Sequence, residues 1–371
     1  MANFYETMRL KNQLSPTLLR KPGIYGVGVG YADPDKPDRG AAIIVYSHPN
    51  VKPAEIRSTM LQKAGVSFPF RLINTDPFKP HSKVQSGSVS RRRAAPRKRV
   101  KAEFFRSRLR PVPGGVSIGR ITGSLGITGT GGLITIRNGQ LYVLSNNHVI
   151  VAANRFAANI LQPGPLDGGQ ASDRIGVSVR FVPFRIGGVN FMDAAIAQPI
   201  TNSLLNPRYL INSGRLITLR GHLLSYRVGA SFVKSGRTTG FVSGVVESIG
   251  TDQLVGPYRE VGNATLLFRN QTVVVGSSPV SQGGDSGSVW ITRDGFAAAL
   301  NFAGSGNRSI STPIASVLST FGLRVAAPAP GGTFKAGGSK GAAPQGNHAY
   351  VRPLPEAVRK QIRPVSTKAR K

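Results

Sequence analysis

Three side chains widely separated along the chain have the types needed for covalent catalysis. Ser286 sits in GGDSGS, residues 283–288, a glycine-rich turn just ahead of the strand-like Val289, Trp290 and Ile291. Glycines there let the backbone turn so that the N–H groups of Gly284 and Ser286 converge on a developing oxyanion, with the hydroxyl projecting beside them. On its own such a turn is an ordinary β-turn, so it needs a base and a group to orient that base. Of the five histidines, His148 follows the strand-like LYVLS in the context SNNHV, upstream of the serine. His48, His81, His222 and His348 lack a comparable setting. Asp193, in FMDAAIAQP, is an acid framed by apolar residues, which implies burial and therefore a partner. An imidazole donating one ring N–H to Asp193 would supply that partner, and its other nitrogen would then be set to take the serine proton. The order is His, Asp, Ser, at intervals of 45 and 93 positions. The chemistry implied is nucleophilic acyl transfer.

The elements around these residues read as strands. From Pro111 to Val325, short apolar runs alternate with glycine-bearing turns: GGVSIGRIT, GGLITIR, LYVLSNN, IGVSVRFV, ASFVKSG, GFVSGVVESIG, ATLLFRN, TVVVG and AAALNFAG among them. Helical spacing is almost absent before residues 314–321. This pattern predicts a closed or packed antiparallel all-β fold. Forty-five Gly and 26 Pro against four Met and one Trp fit many tight turns better than a helical bundle.

Ahead of this region, residues 23–74 read strand, strand, helix, strand, with Ile56, Met60, Leu61 and Ala64 at helical spacing in the third element. Residues 1–75 are thus expected to form a small α+β domain, either a compact accessory module or a propeptide that assists folding or covers the site. Residues 76–110 lose periodicity and include RRRAAPRKRVK, which predicts a mobile basic linker and a candidate processing site. Residues 326–371 are rich in Pro, Gly and Ala, then basic, and are expected to be a disordered tail.

The net charge of +32 lies for more than half outside residues 115–325. Basic segments of this kind adhere to polyanions such as nucleic acid or an anionic surface. That leaves an alternative in which the protein is a basic binding protein and the β region a platform, inactive or only secondarily catalytic. Aromatic interleaving is sparse and no helix-turn-helix, zinc-finger or RNP signature is present, which disfavours nucleic-acid recognition as the main task. Cysteine is absent, so disulfides, thiolate zinc sites and a cysteine nucleophile are excluded, and nothing calls for a metal or cofactor. No Sec-type signal and no run of 18 apolar residues is present, so a soluble protein is expected, with its compartment open.

Taken in order, TGTGG, LSNNHV, DAAIA, KSGRTTG and GGDSGS resemble the trypsin-like serine peptidases of bacterial type, over roughly residues 111–323. The resemblance implies a mainly β, chymotrypsin-like double antiparallel β-barrel over residues 111–325, divided near 205–220. It implies a serine endopeptidase acting on protein or peptide substrates. In cysteine-bearing members the KSGRTTG stretch begins with a Cys, where this chain has Val233. The arginine of that motif pairs in those relatives with the aspartate before the nucleophile, so Arg237 and Asp285 are expected to form an ion pair. Residues Val280, Ser281, Asn301, Phe302, Ala303 and Gly304 would line the pocket for the residue preceding the scissile bond. No acid stands at the expected pocket base, which argues against Lys or Arg selection and favours a small or medium apolar residue. The start RPVPGGVSIG, with the N-terminal module, resembles a subgroup carrying an extra domain ahead of the peptidase.

Overall fold

A computed structural model describes residues 2–65, 67–80, 83–86, 103–341 and 350–369. The chain is mainly β. Strand Leu125–Gly131 pairs with Val116–Thr122, which pairs with Asn159–Leu161, and the sheet continues through Arg174–Phe181, Ala195–Pro199, Gln140–Ser145 and Leu133–Arg137. The first and last of these are separated by Gly132 alone, whose N–H donates to the Leu144 carbonyl at 2.9 Å. The sheet therefore closes on itself as an antiparallel barrel. Its filling is aliphatic, with Val116, Ile118, Ile134, Leu141, Val143 and Ile160 buried.

The second barrel closes through hydrogen bonds throughout. Ser231–Gly236 pairs with Gly240–Tyr258, that strand with Ala264–Val275, then Arg308–Pro313, Phe296–Ser305 and Val289–Ile291, which returns to Ser231–Gly236. Trp290 is wholly buried inside, its indole N–H shared by Ser309 and Ser311 hydroxyls. Helix Ile314–Phe321 packs Ile314, Val317, Leu318 and Phe321 beneath both barrels. Burying side chains of this size contributes about 1.5–3 kcal/mol each, which is why a chain without cysteine can hold two barrels together.

The N-terminal residues contain the strand, strand, helix, strand series, as Ile24–Tyr31, Ala41–Ser47, Pro53–Ala64 and Phe70–Asn74. A further helix, Phe4–Leu18, precedes them, capped by Asn3 and burying Phe4, Leu10, Leu14 and Leu18. These elements do not stand apart. Strand Ile24–Tyr31 pairs antiparallel with Gly240–Tyr258, so the first 74 residues extend the sheet of the second barrel. Buried Lys11 pairs with Asp252 at 2.9 Å and fastens the first helix to that same strand.

Two segments expected to lack structure carry backbone pairing where they are described. Within 76–110, Phe78 and Phe105 are buried, Lys79–Pro80 pairs with Phe296–Ser305, and Lys83–Ser86 pairs with Leu125–Gly131. The described parts of this segment are thus held by neighbouring strands rather than mobile. The basic run RRRAAPRKRVK and its candidate processing site lie outside the described residues. Within 326–371, strand Arg324–Pro328 pairs with Leu133–Arg137 and with Phe334–Ala336, and Gly338–Lys340 pairs with Gly221–Leu223. Val351, Leu354 and Ile362 are buried and Val365–Ser366 pairs with Arg174–Phe181. Backbone pairing and a few well-spaced apolar side chains hold the described parts of a segment whose composition alone reads as disordered.

Candidate active site

The site lies where the barrels meet, and each barrel contributes a part. Strand Gln140–Ser145 of the first barrel ends in a single helical turn, Asn147–Ile150, which carries His148. Asp193 precedes the adjacent strand Ala195–Pro199, and the Asn146 amide group donates to the Asp193 carbonyl at 2.6 Å, locking the two loops together. Ser286 comes from the turn that enters Val289–Ile291 in the second barrel. The barrels are tied at this point: Thr130 N–H donates to the Ser286 carbonyl at 2.7 Å and Thr130 Oγ1 to the Gly284 carbonyl at 2.9 Å.

Side chains from the three distant stretches thereby meet. His148 Nε2 lies 2.9 Å from Ser286 Oγ, and His148 Nδ1 hydrogen-bonds the Asp193 carboxylate. All three are buried. The Ser286 hydroxyl has a second acceptor, the Phe302 carbonyl at 3.0 Å, so its one proton is offered in two directions. Asp193 also accepts from the Tyr258 hydroxyl at 3.2 Å and from the His148 backbone N–H at 3.4 Å. A carboxylate removed from water needs such donors, because an unpaired buried charge costs several kcal/mol. Burial works against the imidazolium of His148, yet the charge of Asp193, its hydrogen bond and the more distant Glu260 outweigh that penalty. The histidine pKa is raised above its ordinary value. Burial, then Asp193, pushes the Tyr258 hydroxyl well above its usual range, so it remains a donor.

The turn around Ser286 is held from several sides. Asp285 N–H donates to the Gln282 carbonyl, Ser288 N–H to the Asp285 carbonyl and Gly287 N–H to the Asn301 carbonyl. These bonds engage the amides of 285, 287 and 288, whereas the pair expected to face an oxyanion is that of Gly284 and Ser286. Gly284 and Gly287 have φ of +105° and +91°, and a Cβ on Gly287 would lie 2.0 Å from the Thr130 carbonyl oxygen. Only glycine fits the turn at that point.

The expected ion pair is not formed. Arg237 directs its guanidinium at Asp167, with Nε 2.7 Å from Oδ2, and Ser117 donates to the same oxygen at 2.6 Å. Asp285 instead accepts from the backbone N–H groups of Thr238 (2.8 Å), Thr239 (3.1 Å) and Gln282 (2.8 Å). The cation facing it is Lys234, with Nζ 4.0 Å from Oδ2 and both side chains fully buried. Strand alternation places Lys234 there. Lys234 and Gly236 share one face of Ser231–Gly236, and a Cβ on Gly236 would lie 2.4 Å from Asp285 Oδ1. Arg237 lies beyond the strand, in the turn that leads to Gly240. Burial lowers the Lys234 pKa more than the nearby Asp285 raises it.

The expected pocket residues divide. Val280 is buried beside Trp290, and the Phe302 ring is buried against Phe268 with centroids 4.8 Å apart. Ser281 and Asn301 hydrogen-bond each other, and Asn301 also donates to the Asp285 carbonyl at 2.9 Å. Ala303 and Gly304 lie on the strand beside Ser286 and pair with Pro80 and Lys79 of the same chain. Four contributors escaped sequence reading: Tyr258, Lys234, Asp167 and the buried pair Arg120–Glu260, whose charges meet at 3.8 Å behind His148. Only Lys234 carried a signal, the period-2 parity of its strand relative to Gly236.

Among the described residues no group of three or more His, Cys, Asp or Glu is placed to hold a metal ion, and no helix is long and apolar enough to cross a membrane. No family model matches the chain, and no curated protein sequence does. Solved structures similar to it include a glutamic-acid-specific serine protease described as using a histidine triad in substrate binding, 21% identical, with 58% of this chain and 100% of that one aligned at a TM-score of 0.43. Thermobifida fusca protease A is 20% identical over 61% of this chain and 99% of its own, at a TM-score of 0.42. A Nocardiopsis protease is 20% identical over 58% and 98%, also at 0.42.

Proposed function

We propose that the protein is a serine endopeptidase that hydrolyses peptide bonds with Ser286 as nucleophile, His148 as general base and Asp193 as its orienting partner. The observation that carries this reading is the His148 imidazole, with Nε2 2.9 Å from Ser286 Oγ and Nδ1 on the Asp193 carboxylate. Asp193 selects the tautomer with hydrogen on Nδ1, which leaves the Nε2 lone pair facing the hydroxyl. As Ser286 Oγ attacks a peptide carbonyl, its proton passes to Nε2 rather than resting on the Phe302 carbonyl. The imidazolium formed is stabilised by Asp193, and the same proton is then given to the leaving amine. The oxyanion is received by the amides of Gly284 and Ser286. Asp285 sits next to that position, and its charge is absorbed by three backbone donors and by Lys234, so it does not oppose the negative charge of the intermediate.

Arg237 acts at a distance from this chemistry. Its pairing with Asp167 fixes the loop that carries Thr238 and Thr239, whose amides hold Asp285. The test is covalent labelling with an alkyl fluorophosphonate, with the modified residue located by peptide mass spectrometry. Labelling at Ser286 is expected, and it disappears in Ser286→Ala and His148→Ala. A folded protein that is not labelled would refute the assignment.

A further inference from the structure

One edge of strand Phe296–Ser305 changes partners as it passes the nucleophile. Leu300 pairs with Val289, Asn301 exchanges backbone hydrogen bonds with Gly287 and Ser288, and the Phe302 carbonyl accepts from Ser286 Oγ. The next two residues, Ala303 and Gly304, pair antiparallel with Pro80 and Lys79. The opposite edge is taken by Arg308–Pro313, so a peptide extended along this strand beside Ser286 would need the positions that Lys79 and Pro80 fill. On the first barrel, residues 125–128 pair antiparallel with residues 83–86, on the strand whose Thr130 N–H holds the Ser286 carbonyl. Both sheet edges that flank the nucleophile are thus occupied by this chain, and Ser286 and His148 are wholly buried. The occupant on the second barrel is anchored independently of the edge. Phe78 is buried edge-to-face against Tyr46, with ring centroids 5.8 Å apart, and its carbonyl accepts the Gly256 N–H at 3.0 Å. Ser305 Oγ donates to the Asp76 carbonyl at 2.9 Å.

We infer that residues 76–80 and 83–86 are an inhibitor built into the chain: they fill the edges with which a peptide substrate must pair, and the protein is latent until residues 76–80 are drawn off Ala303 and Gly304. The inference rests on the proposed reading of Ser286 as a nucleophile and adds that its reactivity is set by how often this stretch leaves. Pro80 has no N–H to offer Ala303, so the pairing itself is held by fewer hydrogen bonds than an ordinary strand pair. Retention therefore falls to the buried Phe78 ring and to the Ser305 hydroxyl. Because the stretch is part of the chain, it is presented at an effective concentration of order millimolar or above, and a free peptide of equal intrinsic affinity has to exceed that to displace it. The observed rate of any reaction at Ser286 is then the intrinsic rate multiplied by the fraction of molecules that are open. Weakening the anchor raises that fraction and leaves the chemistry as it is, since Phe78 belongs to neither the triad nor the turn that carries Ser286. The rest of the N-terminal residues stays in place meanwhile, with strand Ile24–Tyr31 hydrogen-bonded into the second barrel's sheet.

The test is the rate at which an alkyl fluorophosphonate labels Ser286 in the full chain, followed by peptide mass spectrometry, for wild type, Phe78→Ala and Ile56→Ala. Ile56 is buried in the separate core beneath helix Pro53–Ala64, so its loss controls for general loosening of the N-terminal residues. Wild type is expected to be labelled slowly and Phe78→Ala at least about tenfold faster, with Ile56→Ala within about twofold of wild type and all three folded by circular dichroism. Equal rates for wild type and Phe78→Ala, or an equal acceleration by Ile56→Ala, overturn the inference and leave the nucleophile reading standing, because Ser286 is labelled in either case. If no folded form is labelled, the nucleophile reading itself fails and takes the inference with it. Should either variant not fold, Ser305→Ala decides. It removes only the hydroxyl that holds the Asp76 carbonyl and is expected to raise the labelling rate about threefold or more. A rate unchanged from wild type in that variant overturns the inference.

Discussion

Replacing Lys234 by Met removes the cation that faces Asp285, and the size of the effect follows from where the two groups sit. Their charged atoms are 4.0 Å apart and both side chains are fully buried. At an effective dielectric constant of about 20, that separation corresponds to roughly 4 kcal/mol of attraction. The single substitution does not report this figure, because burial of the ammonium costs energy that Met does not incur, and replacing a buried ion with an apolar side chain is often close to neutral. A double-mutant cycle with Asp285→Asn cancels the separate solvation terms and isolates the coupling. We expect a coupling of about 2–4 kcal/mol between Lys234 and Asp285, reduced from the Coulomb figure by the three amides that already share the carboxylate charge. The cycle is measured by urea unfolding in a Ser286→Ala background. The matching cycle of Arg237→Met with Asp285→Asn is expected to give less than half as much, since that guanidinium is engaged by Asp167. A coupling for Arg237 equal to or larger than that for Lys234 would refute the assignment of partners.

Two further outcomes follow from the site. Because His148 must be neutral to act as a base and its pKa is raised, kcat/KM on a peptide substrate is expected to rise with pH through an apparent pKa above 6.5. Glu260→Gln removes a charge that favours the imidazolium and should move that limb toward acid; an unmoved limb would exclude this coupling. Asp193→Asn keeps the hydrogen-bonded shape but presents the wrong partner to Nδ1–H, and kcat is expected to fall by about 10⁴, or 5–6 kcal/mol of barrier. A loss smaller than tenfold, with the fold retained by circular dichroism, would show that Asp193 does not set the tautomer.

Much of the fold was legible because its signals are local. Apolar runs broken by glycine turns marked the strands, and the spacing of residues 314–321 marked the helix. Ser286, His148 and Asp193 stood out because each is an unusual residue in its setting: a serine framed by glycines, a histidine after a strand, an acid amid alanines. What stayed hidden depends on which distant surfaces come together. Arg237 looked like the partner of Asp285 because a motif names residues and not the directions in which their side chains leave the backbone. Tyr258 ends a strand in sequence like many other tyrosines, and only the docking of the two barrels brings its hydroxyl to Asp193. The helix Phe4–Leu18 had a readable face in Phe4, Thr7, Leu10, Leu14 and Leu18, but Pro16 and a high polar content obscured it. In the described parts of residues 326–371 the apolar side chains are too sparse to form a core of their own, and Leu354 and Ile362 dock onto one that already exists.

The pairing of Ile24–Tyr31 with Gly240–Tyr258 has a practical consequence for anyone who trims this chain to its two barrels. Starting expression at residue 111 would strip a three-stranded sheet from the flank of a 19-residue strand and expose backbone groups near Ile249 and Gln253 that now have partners. An uncovered edge of that kind recruits other chains. The shortened protein would be expected to associate or precipitate, and a lack of activity in it would say nothing about Ser286.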